Sequence, residues 1–162
     1  MIWQTVSTSS DDTQRLGQLL GRLIKSPEII ELRSDLSGGK TTFVKGLARG
    51  LGSKDIVTSP TFTLNRIYRL KGNKQVHHYD FYRLSEAGIM SDELAESLQD
   101  SNVVTVMEWS DIVQNVLPKK RLTIEFMPTA NDPDKRKITI SYPESKIGLI
   151  GQLETNWIEI KP

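Results

Sequence analysis

The first third of the chain alternates short apolar segments with a helical spacing of apolar side chains. Residues 2–6 predict a short strand, and leucines and isoleucines spaced three and four apart over residues 16–24 predict an amphipathic helix that ends before Pro27. Residues 29–32 form a brief apolar segment that is typical of a buried strand. The helical period returns over residues 43–51, so the predicted order is β-α-β-α.

The middle and the end of the chain favour antiparallel hairpins. Residues 61–70 and 75–82 are rich in β-branched and aromatic side chains and flank a Lys-Gly-Asn turn, which predicts one hairpin. Residues 122–126 and 138–142 alternate apolar and polar side chains, and the turn-rich residues 131–134 join them. The spacing predicts a second antiparallel pair there.

The remaining segments are short, and their patterns are weaker. We predict a helix over residues 85–98, an apolar strand over residues 103–107 and a short helix over residues 111–116. Near the end, a helical turn over residues 147–153 is predicted to precede a last strand over residues 157–160.

The length of 162 residues is close to that of one compact domain. No internal repeat, low-complexity stretch or linker divides the sequence. The order of elements therefore predicts a single α/β domain over residues 1–162, with a mixed central sheet flanked by helices.

Composition removes several classes of function. Lys and Arg number 21 against 20 Asp and Glu, a net charge of +1, whereas strongly basic nucleic-acid clamps carry a clear cationic excess. The absence of cysteine excludes disulfide scaffolds, thiolate zinc sites and cysteine nucleophiles. The longest apolar run is three residues and no secretory signal pattern is visible, so we expect a cytoplasmic protein without a membrane segment.

The strongest chemical signal is Gly39-Lys40-Thr41, because it follows a predicted strand and opens a predicted helix, as the loop of a P-loop NTPase-like domain does. A lysine at the positive end of a helix is unfavourable unless an anion lies there too. Backbone N–H groups of residues 37–42 would surround phosphate oxygens, Lys40 would neutralise the terminal phosphates of a nucleotide, and Thr41 would bind Mg²⁺. The alternative is an ordinary solvated turn. Ser34 stands where the usual pattern begins with glycine, and it carries a small cost if its φ is positive.

Two carboxylates stand out beyond this loop. Glu108 ends the strand predicted over residues 103–107, where magnesium-directing carboxylates of P-loop enzymes lie, and its alternative role is a strand-end acid facing solvent. Asp80 stands among large aromatic side chains and would hold metal-bound water or position an attacking water. Its alternative role is a structural acid paired with Arg83.

Three further groups carry weaker signals. His77 and His78 are neighbours on a predicted strand and point to opposite faces, which excludes a paired metal site and favours structural roles. Residues 59–63 place hydroxyls on a predicted loop, which suits a switch that senses a γ-phosphate. The basic residues 135–137 are more typical of a solvated turn than of a ligand site.

Four segments together resemble those of one family in order and spacing. They are residues 35–43 (DLSGGKTTF), 58–64 (TSPTFTL), 78–84 (HYDFYRL) and 108–109 (EW). Through them, and over roughly residues 8–140, the sequence is similar to the TsaE family of small ATPases of bacterial tRNA threonylcarbamoyladenosine synthesis.

The resemblance implies ATP and Mg²⁺ as ligands, TsaD and TsaB as protein partners, and contact with tRNA only indirectly through their complex. The residues implied to be catalytic are Asp80, Glu108 and Lys40. Those implied to lie at the metal are Thr41, Glu108 and Asp80. Those implied to contact the nucleotide are Thr13, Ser37, Gly38, Gly39, Lys40, Thr41, Thr42, Trp109 and Arg136.

The loop departs from the family pattern, which usually has glycine where Ser34 and Ser37 stand and alanine where Gly38 stands. Residues 88–98 also lack the family's typical Glu-Glu-Leu and a later glycine. Two other functions stay open, a small-molecule P-loop kinase and a nucleotide-sensing module that does not hydrolyse ATP. Phosphate release without an added acceptor would separate an ATPase from a kinase, and ATP binding without turnover would indicate the sensing module.

Overall fold

The computed structural model describes residues 1–25, 27–86, 88–130 and 132–160. A seven-stranded mixed sheet with helices on both faces forms the α/β fold that the sequence predicts. The strands are β1 (Ile2–Ser7), β2 (Ile29–Arg33), β3 (Asn65–Arg69), β4 (Gln75–Asp80), β5 (Val103–Glu108), β6 (Leu122–Thr129) and β7 (Asp132–Ser141). The helices are α1 (Ser10–Leu23), α2 (Lys40–Gly50), α3 (Ile89–Gln99) and α4 (Ile147–Ile160), with short 3₁₀ turns at Ser110–Val113 and Glu144–Lys146.

The centre of the sheet is parallel and its edges are antiparallel. The strand order is β1-β7-β6-β2-β5-β4-β3, in which β2 runs parallel to both β5 and β6, and β4 runs parallel to β5. The two predicted hairpins, β3–β4 and β6–β7, form antiparallel pairs, and β1 adds to the edge at β7. Because β2, β4 and β5 end at the same edge, the residues that follow them meet there.

The alternation of side chains along the strands creates two cores. Val106 on β5 faces the larger core, which α1, α2 and α4 cover, and Met107 faces the smaller core, which α3 covers together with the segment after β5. Helices α1 and α2 touch closely, since a Cβ added to Gly46 would lie 1.8 Å from the carbonyl oxygen of Gln14. This contact fixes the position of α2, and therefore of its first residue, Lys40.

Several predicted boundaries are wrong for local reasons. Strand β3 begins at Asn65 instead of residue 61, because the N–H groups of Thr63 and Leu64 donate to the carbonyl of Pro60 in a turn. The predicted last strand is the end of α4, where Ile150, Leu153 and Trp157 are buried at the helical spacing of three and four. Helix α3 starts only at residue 89, and the helix predicted over 111–116 is a 3₁₀ turn over 110–113.

The turn predicted over residues 131–134 falls partly outside the described residues, since Asn131 is not among them. Asp132 and Asp134 already belong to β7. Within the described ranges, each helix is too short or too polar to cross a membrane.

Candidate functional site

The loop between β2 and α2 has the backbone of an anion site. Ser37 and Gly39 adopt left-handed conformations, with φ of 63° and 107°, so the loop curls before α2 begins at Lys40. Among the described residues, no side chain caps α2 and no acid lies in its first turn. The free N–H groups and positive pole of this helix end are the features that attract phosphate oxygens.

The strained serine of this loop is Ser37, whereas the sequence suggested Ser34. Ser34 is not in the left-handed region, and Ser37 is. A non-glycine residue in this region costs about 1–2 kcal/mol. The loop therefore holds a strained backbone at the place where its N–H groups turn inward.

Lys40 places its ammonium group inside the curl of the loop. Its side chain is only 6% exposed, and Nζ donates to Ser34 Oγ at 2.8 Å and to the carbonyl oxygens of Ser34 and Asp35 at 3.3 Å each. Nζ also lies 3.7 Å from Glu108 Oε2 and 4.8 Å from the centre of the Trp109 ring. The buried charge is thus compensated by a carboxylate, loop oxygens and an aromatic face.

Strands β4 and β5 bring the two predicted carboxylates together. Asp80 and Glu108 are register partners at the ends of these parallel strands, and both are buried. They line one pocket of about 340 Å³ together with residues 36–42 of the loop between β2 and α2, the phosphate loop. The predicted site residues that line this pocket are Ser37, Gly38, Gly39, Lys40, Thr41, Thr42, Asp80, Glu108 and Trp109.

Glu108 is held by a histidine that sequence reasoning assigned to a structural role. His78 Nε2 lies 2.8 Å from Glu108 Oε1, and the histidine is fully buried. Its other nitrogen, Nδ1, has no hydrogen-bond partner among the described residues. A signal for this contact was present in the sequence, since residues two apart on a strand share a face and His78 precedes Asp80 by two.

His77 points to the other face, as predicted. Its Nδ1 lies 2.6 Å from Ser97 Oγ on α3, and its Nε2 lies 2.9 Å from Gln75 Oε1. Burial lowers the pKa of His77. Its contacts are those of a structural residue at the α3 side of the sheet.

Asp80 connects the pocket to the predicted switch segment, residues 59–63. Its Oδ2 accepts a hydrogen bond from Thr61 Oγ1 at 2.5 Å, and its Oδ1 accepts one from the Tyr82 N–H at 2.9 Å. The alternative pairing with Arg83 is not seen, because the Arg83 guanidinium lies 4.1 Å from the centre of the Phe62 ring. A movement of the Asp80 carboxylate would therefore alter its hydrogen bond with Thr61.

Thr13 and Arg136 lie beside the loop but outside the carboxylate pocket. They line a second cavity of about 170 Å³, which also contacts Ser37, Gly39 and Thr42. Thr13 is buried, and its Oγ1 lies 2.8 Å from the Oγ of Ser7 at the end of β1. The structure thus divides the predicted nucleotide contacts between two cavities that share the loop.

A buried carboxylate behind the site, Glu31, was missed by sequence reasoning. Its Oε1 accepts hydrogen bonds from Ser110 Oγ at 2.6 Å and from Arg33 Nη2 at 2.9 Å, and its Oε2 accepts one from Arg121 Nε at 2.8 Å. Burial alone would raise the pKa of Glu31, yet the hydrogen bonds from Ser110, Arg121 and Arg33 outweigh burial and lower the pKa from 4.5 to about 2. Ser110 directly follows Trp109, so Glu31 anchors the turn that carries the aromatic ring over Lys40.

The residues present fit a magnesium ion bound with a phosphate group. Thr41, Asp80 and Glu108 offer one hydroxyl and two carboxylates on the wall of one pocket. Magnesium takes few protein oxygens and completes its shell with waters and substrate phosphates. No cluster of three or more metal-ligating His, Asp or Glu side chains occurs within the described ranges.

Comparisons with known proteins give a consistent result. The family model described as threonylcarbamoyl adenosine biosynthesis protein TsaE matches residues 7–138. The tRNA threonylcarbamoyladenosine biosynthesis protein TsaE of Treponema pallidum is 39% identical over 136 residues, covering 84% of this chain and 98% of the relative. The protein of the same name from Bacillus subtilis is 35% identical over 140 residues, covering 86% of this chain and 84% of the relative. The crystal structure of Bacillus subtilis YdiB superposes with a TM-score of 0.77 at 27% identity, covering 96% of each chain.

The Glu31 network makes a prediction about pH. Because its folded-state pKa of about 2 lies below the ordinary 4.5, its ionised carboxylate stabilises the fold fully above pH 4.5 and loses that effect as pH falls through about 2. We expect Glu31→Gln to lower the free energy of unfolding at pH 7 by about 3 kcal/mol. In denaturant titrations the deficit should shrink between pH 5 and pH 2, while the exposed Glu125→Gln should match the wild type throughout. A deficit that stays constant with pH would contradict the electrostatic role of Glu31.

Proposed function

The chain belongs to the TsaE family of tRNA threonylcarbamoyladenosine biosynthesis, and on that premise we propose that it is the ATP-binding and ATP-hydrolysing component of the complex that makes this nucleoside. The observation that carries the proposal is the buried ammonium of Lys40 at the uncapped start of α2, facing two carboxylates across one pocket. A cation, free backbone N–H groups and oxygen ligands at one place are what a magnesium–nucleotide complex requires.

In this proposal the loop binds the phosphates of ATP. The N–H groups of residues 37–42 surround the phosphate oxygens, and Lys40 neutralises the terminal ones. Thr41 and Glu108 hold the metal side of the complex, and Asp80 lies near the metal or its water. Bound Mg²⁺ would supply charge neutralisation for the phosphoryl group.

Asp80 has a second task, which is to position the attacking water. Its two oxygens already accept hydrogen bonds from Thr61 and from the backbone of Tyr82, so its orientation is fixed. A fixed acceptor can orient a water toward the terminal phosphate. The hydrogen bond from Thr61 links Asp80 to the switch segment, and a partner protein can contact that segment from outside.

In this proposal the nucleoside of ATP lies on the side of the loop opposite the carboxylate pocket. The cavity lined by Thr13 and Arg136 shares Ser37 and Gly39 with the phosphate side, which supports a nucleotide that crosses the loop. Trp109 covers Lys40 on the phosphate side.

Turnover is proposed to depend on TsaD and TsaB. Among the described residues that line the carboxylate pocket, Lys40 is the only cation. Arg33 is bound by Glu31, and Arg83 lies over Phe62, so neither is free to act as an internal arginine finger. P-loop enzymes commonly gain a cation or a reordered switch from a partner. The near-neutral net charge of +1 supports tRNA contact that is mainly indirect, through these partners.

The first test concerns Lys40. We expect Lys40→Met, which keeps the length of the side chain and removes its charge, to weaken ATP binding about 10- to 100-fold, with a smaller loss for ADP, because a charge-assisted hydrogen bond to the terminal phosphate contributes about 1–3 kcal/mol. Calorimetry in the presence of magnesium measures both affinities. Lys45→Met, on an exposed residue of the same helix, is the matched control. Equal ATP affinity in wild type and Lys40→Met would overturn the phosphate-loop assignment.

The two carboxylates should separate in their effects. Glu108→Gln is expected to reduce the dependence of ATP binding on magnesium, because it removes a charged ligand while keeping the shape. Asp80→Asn should keep most of the ATP affinity and turn ATP over at least about tenfold more slowly, because the change removes the charge that orients the attacking water and keeps the shape of the side chain. Both variants are compared by calorimetry and by phosphate release with partners. Unchanged turnover in both would return these residues to structural roles.

Partner dependence is the decisive test of the function. We expect slow ATP hydrolysis by the isolated chain and a large increase with TsaD and TsaB, since such additions contribute about 10³–10⁵ in rate in other P-loop systems. Thr61→Ala should bind ATP normally and lose most of the stimulation, because its link to Asp80 is gone. Steady-state phosphate release without an added acceptor measures both. Fast turnover by the chain alone would favour a self-sufficient hydrolase, and ATP binding without turnover even with partners would favour a sensing module.

A further inference from the structure

Ser34 makes a contact with Lys40 that the proposed mechanism does not use. Its hydroxyl accepts the shortest of the lysine's hydrogen bonds, at 2.8 Å, and donates to the carbonyl of Asp35, also at 2.8 Å. The two carbonyl contacts of Lys40 are longer, at 3.3 Å each. The hydroxyl is thus the best acceptor within the loop for an ammonium group that is expected to serve phosphate.

Ser34 also determines which residue can stand at position 38. A Cβ added to Gly38 would lie 2.4 Å from Ser34 Oγ and 2.5 Å from Ser34 Cβ, distances that real Cβ atoms do not adopt. Gly38 is not in the left-handed region, so its backbone would accept alanine. Contact with Ser34, and not conformation, is therefore what excludes a side chain there.

We propose that Ser34 sets the nucleotide affinity of the phosphate loop, with Gly38 as its obligatory steric partner. The hydroxyl competes with the terminal phosphate of ATP for Lys40, and the same side chain fills the space that a Cβ at position 38 would need. This inference rests on the proposed function, because competition matters only if ATP binds at the loop.

The competition has a definite direction. Lys40 is buried, so water does not readily replace the acceptor that it loses when it turns toward phosphate. Removing the hydroxyl takes away the shortest hydrogen bond of the ammonium group and leaves the two longer carbonyl contacts, besides the Glu108 carboxylate and the Trp109 ring. The loop without the hydroxyl should therefore bind ATP more tightly, and ADP should gain less because it lacks the terminal phosphate.

Five proteins test this: the wild type, Ser34→Ala, Gly38→Ala, and Gly38→Ala combined with either Ser34→Gly or Ser34→Ala. Calorimetry with magnesium gives the affinities for ATP and ADP, and denaturant titration gives the free energy of unfolding. Ser34→Ala should tighten ATP binding about three- to tenfold, as expected from the loss of one competing hydrogen bond. Gly38→Ala alone should both weaken ATP binding and destabilise the fold.

The double variants separate the hydroxyl from the bulk of Ser34. Ser34→Gly should rescue Gly38→Ala in both measurements, because the two atoms nearest to the added Cβ are then gone and the next, the Asp35 carbonyl oxygen, is 3.0 Å away. Ser34→Ala should rescue it poorly, because its Cβ remains in the way. Rescue that is equal in the two backgrounds would overturn the steric pairing.

A separate result would contradict the proposed effect of Ser34 on ATP affinity. ATP binding that is unchanged or weaker in Ser34→Ala would overturn the competition, while the Lys40→Met test could still support the proposed function. Absence of ATP binding in all five proteins would overturn the proposed function and the affinity role together. The unfolding measurements would then decide the steric pairing alone.

Discussion

The arrangement of the site depends on one constraint, which is that the buried ammonium group of Lys40 lies at the positive end of a helix. Lys40 begins α2, where the helix pole is positive, and its ammonium group is almost entirely removed from water. Burying an unpaired charge costs several kcal/mol, so the surrounding residues must compensate it. Glu108 supplies the opposite charge, the loop supplies three oxygen acceptors, and Trp109 supplies the face of a ring. Two parts of the fold supply these groups: the end of β5 carries Glu108 and, directly after it, Trp109, and the loop after β2 carries the oxygen acceptors.

The parallel centre of the sheet is what brings these groups together. Because β2, β4 and β5 run in the same direction, the loop, Asp80 and Glu108 leave the sheet at one edge. Polar residues behind that edge then fix their orientation: His78 holds Glu108, and Glu31 anchors the turn after it. Glu31 and His78 are both buried, so the site is held from within the sheet and not by its surface. The switch segment approaches the pocket from outside, through Thr61.

Features encoded by local spacing could be predicted from the sequence, whereas those that depend on packing between distant segments could not. The loop before α2 and the acid at the end of β5 follow from strand and helix periods that a few residues define, whereas the sequence predicts Asp80 inside a strand over residues 75–82, and in the structure it ends β4. The Glu31 network unites residues some eighty to ninety positions apart, which no local pattern encodes. The sequence predicts a strand at the end of α4 because four residues are too few to distinguish the two periods, whereas burial of Ile150, Leu153 and Trp157 at spacings of three and four identifies the helix. The strain at Ser37 likewise depends on how the whole loop curls.

The hydrogen-bond acceptors of Lys40 are oxygens of its own loop. If ATP binds as proposed, its terminal phosphate must displace these contacts as well as form its own. Phosphate oxygens can do so because charged acceptors bind an ammonium group more strongly than neutral hydroxyl or carbonyl oxygens do. The margin between the two sets of contacts, and not the strength of either alone, fixes the affinity. In the proposed mechanism the Ser34 hydroxyl narrows that margin in free energy, and ATP therefore binds less tightly than it would without the hydroxyl.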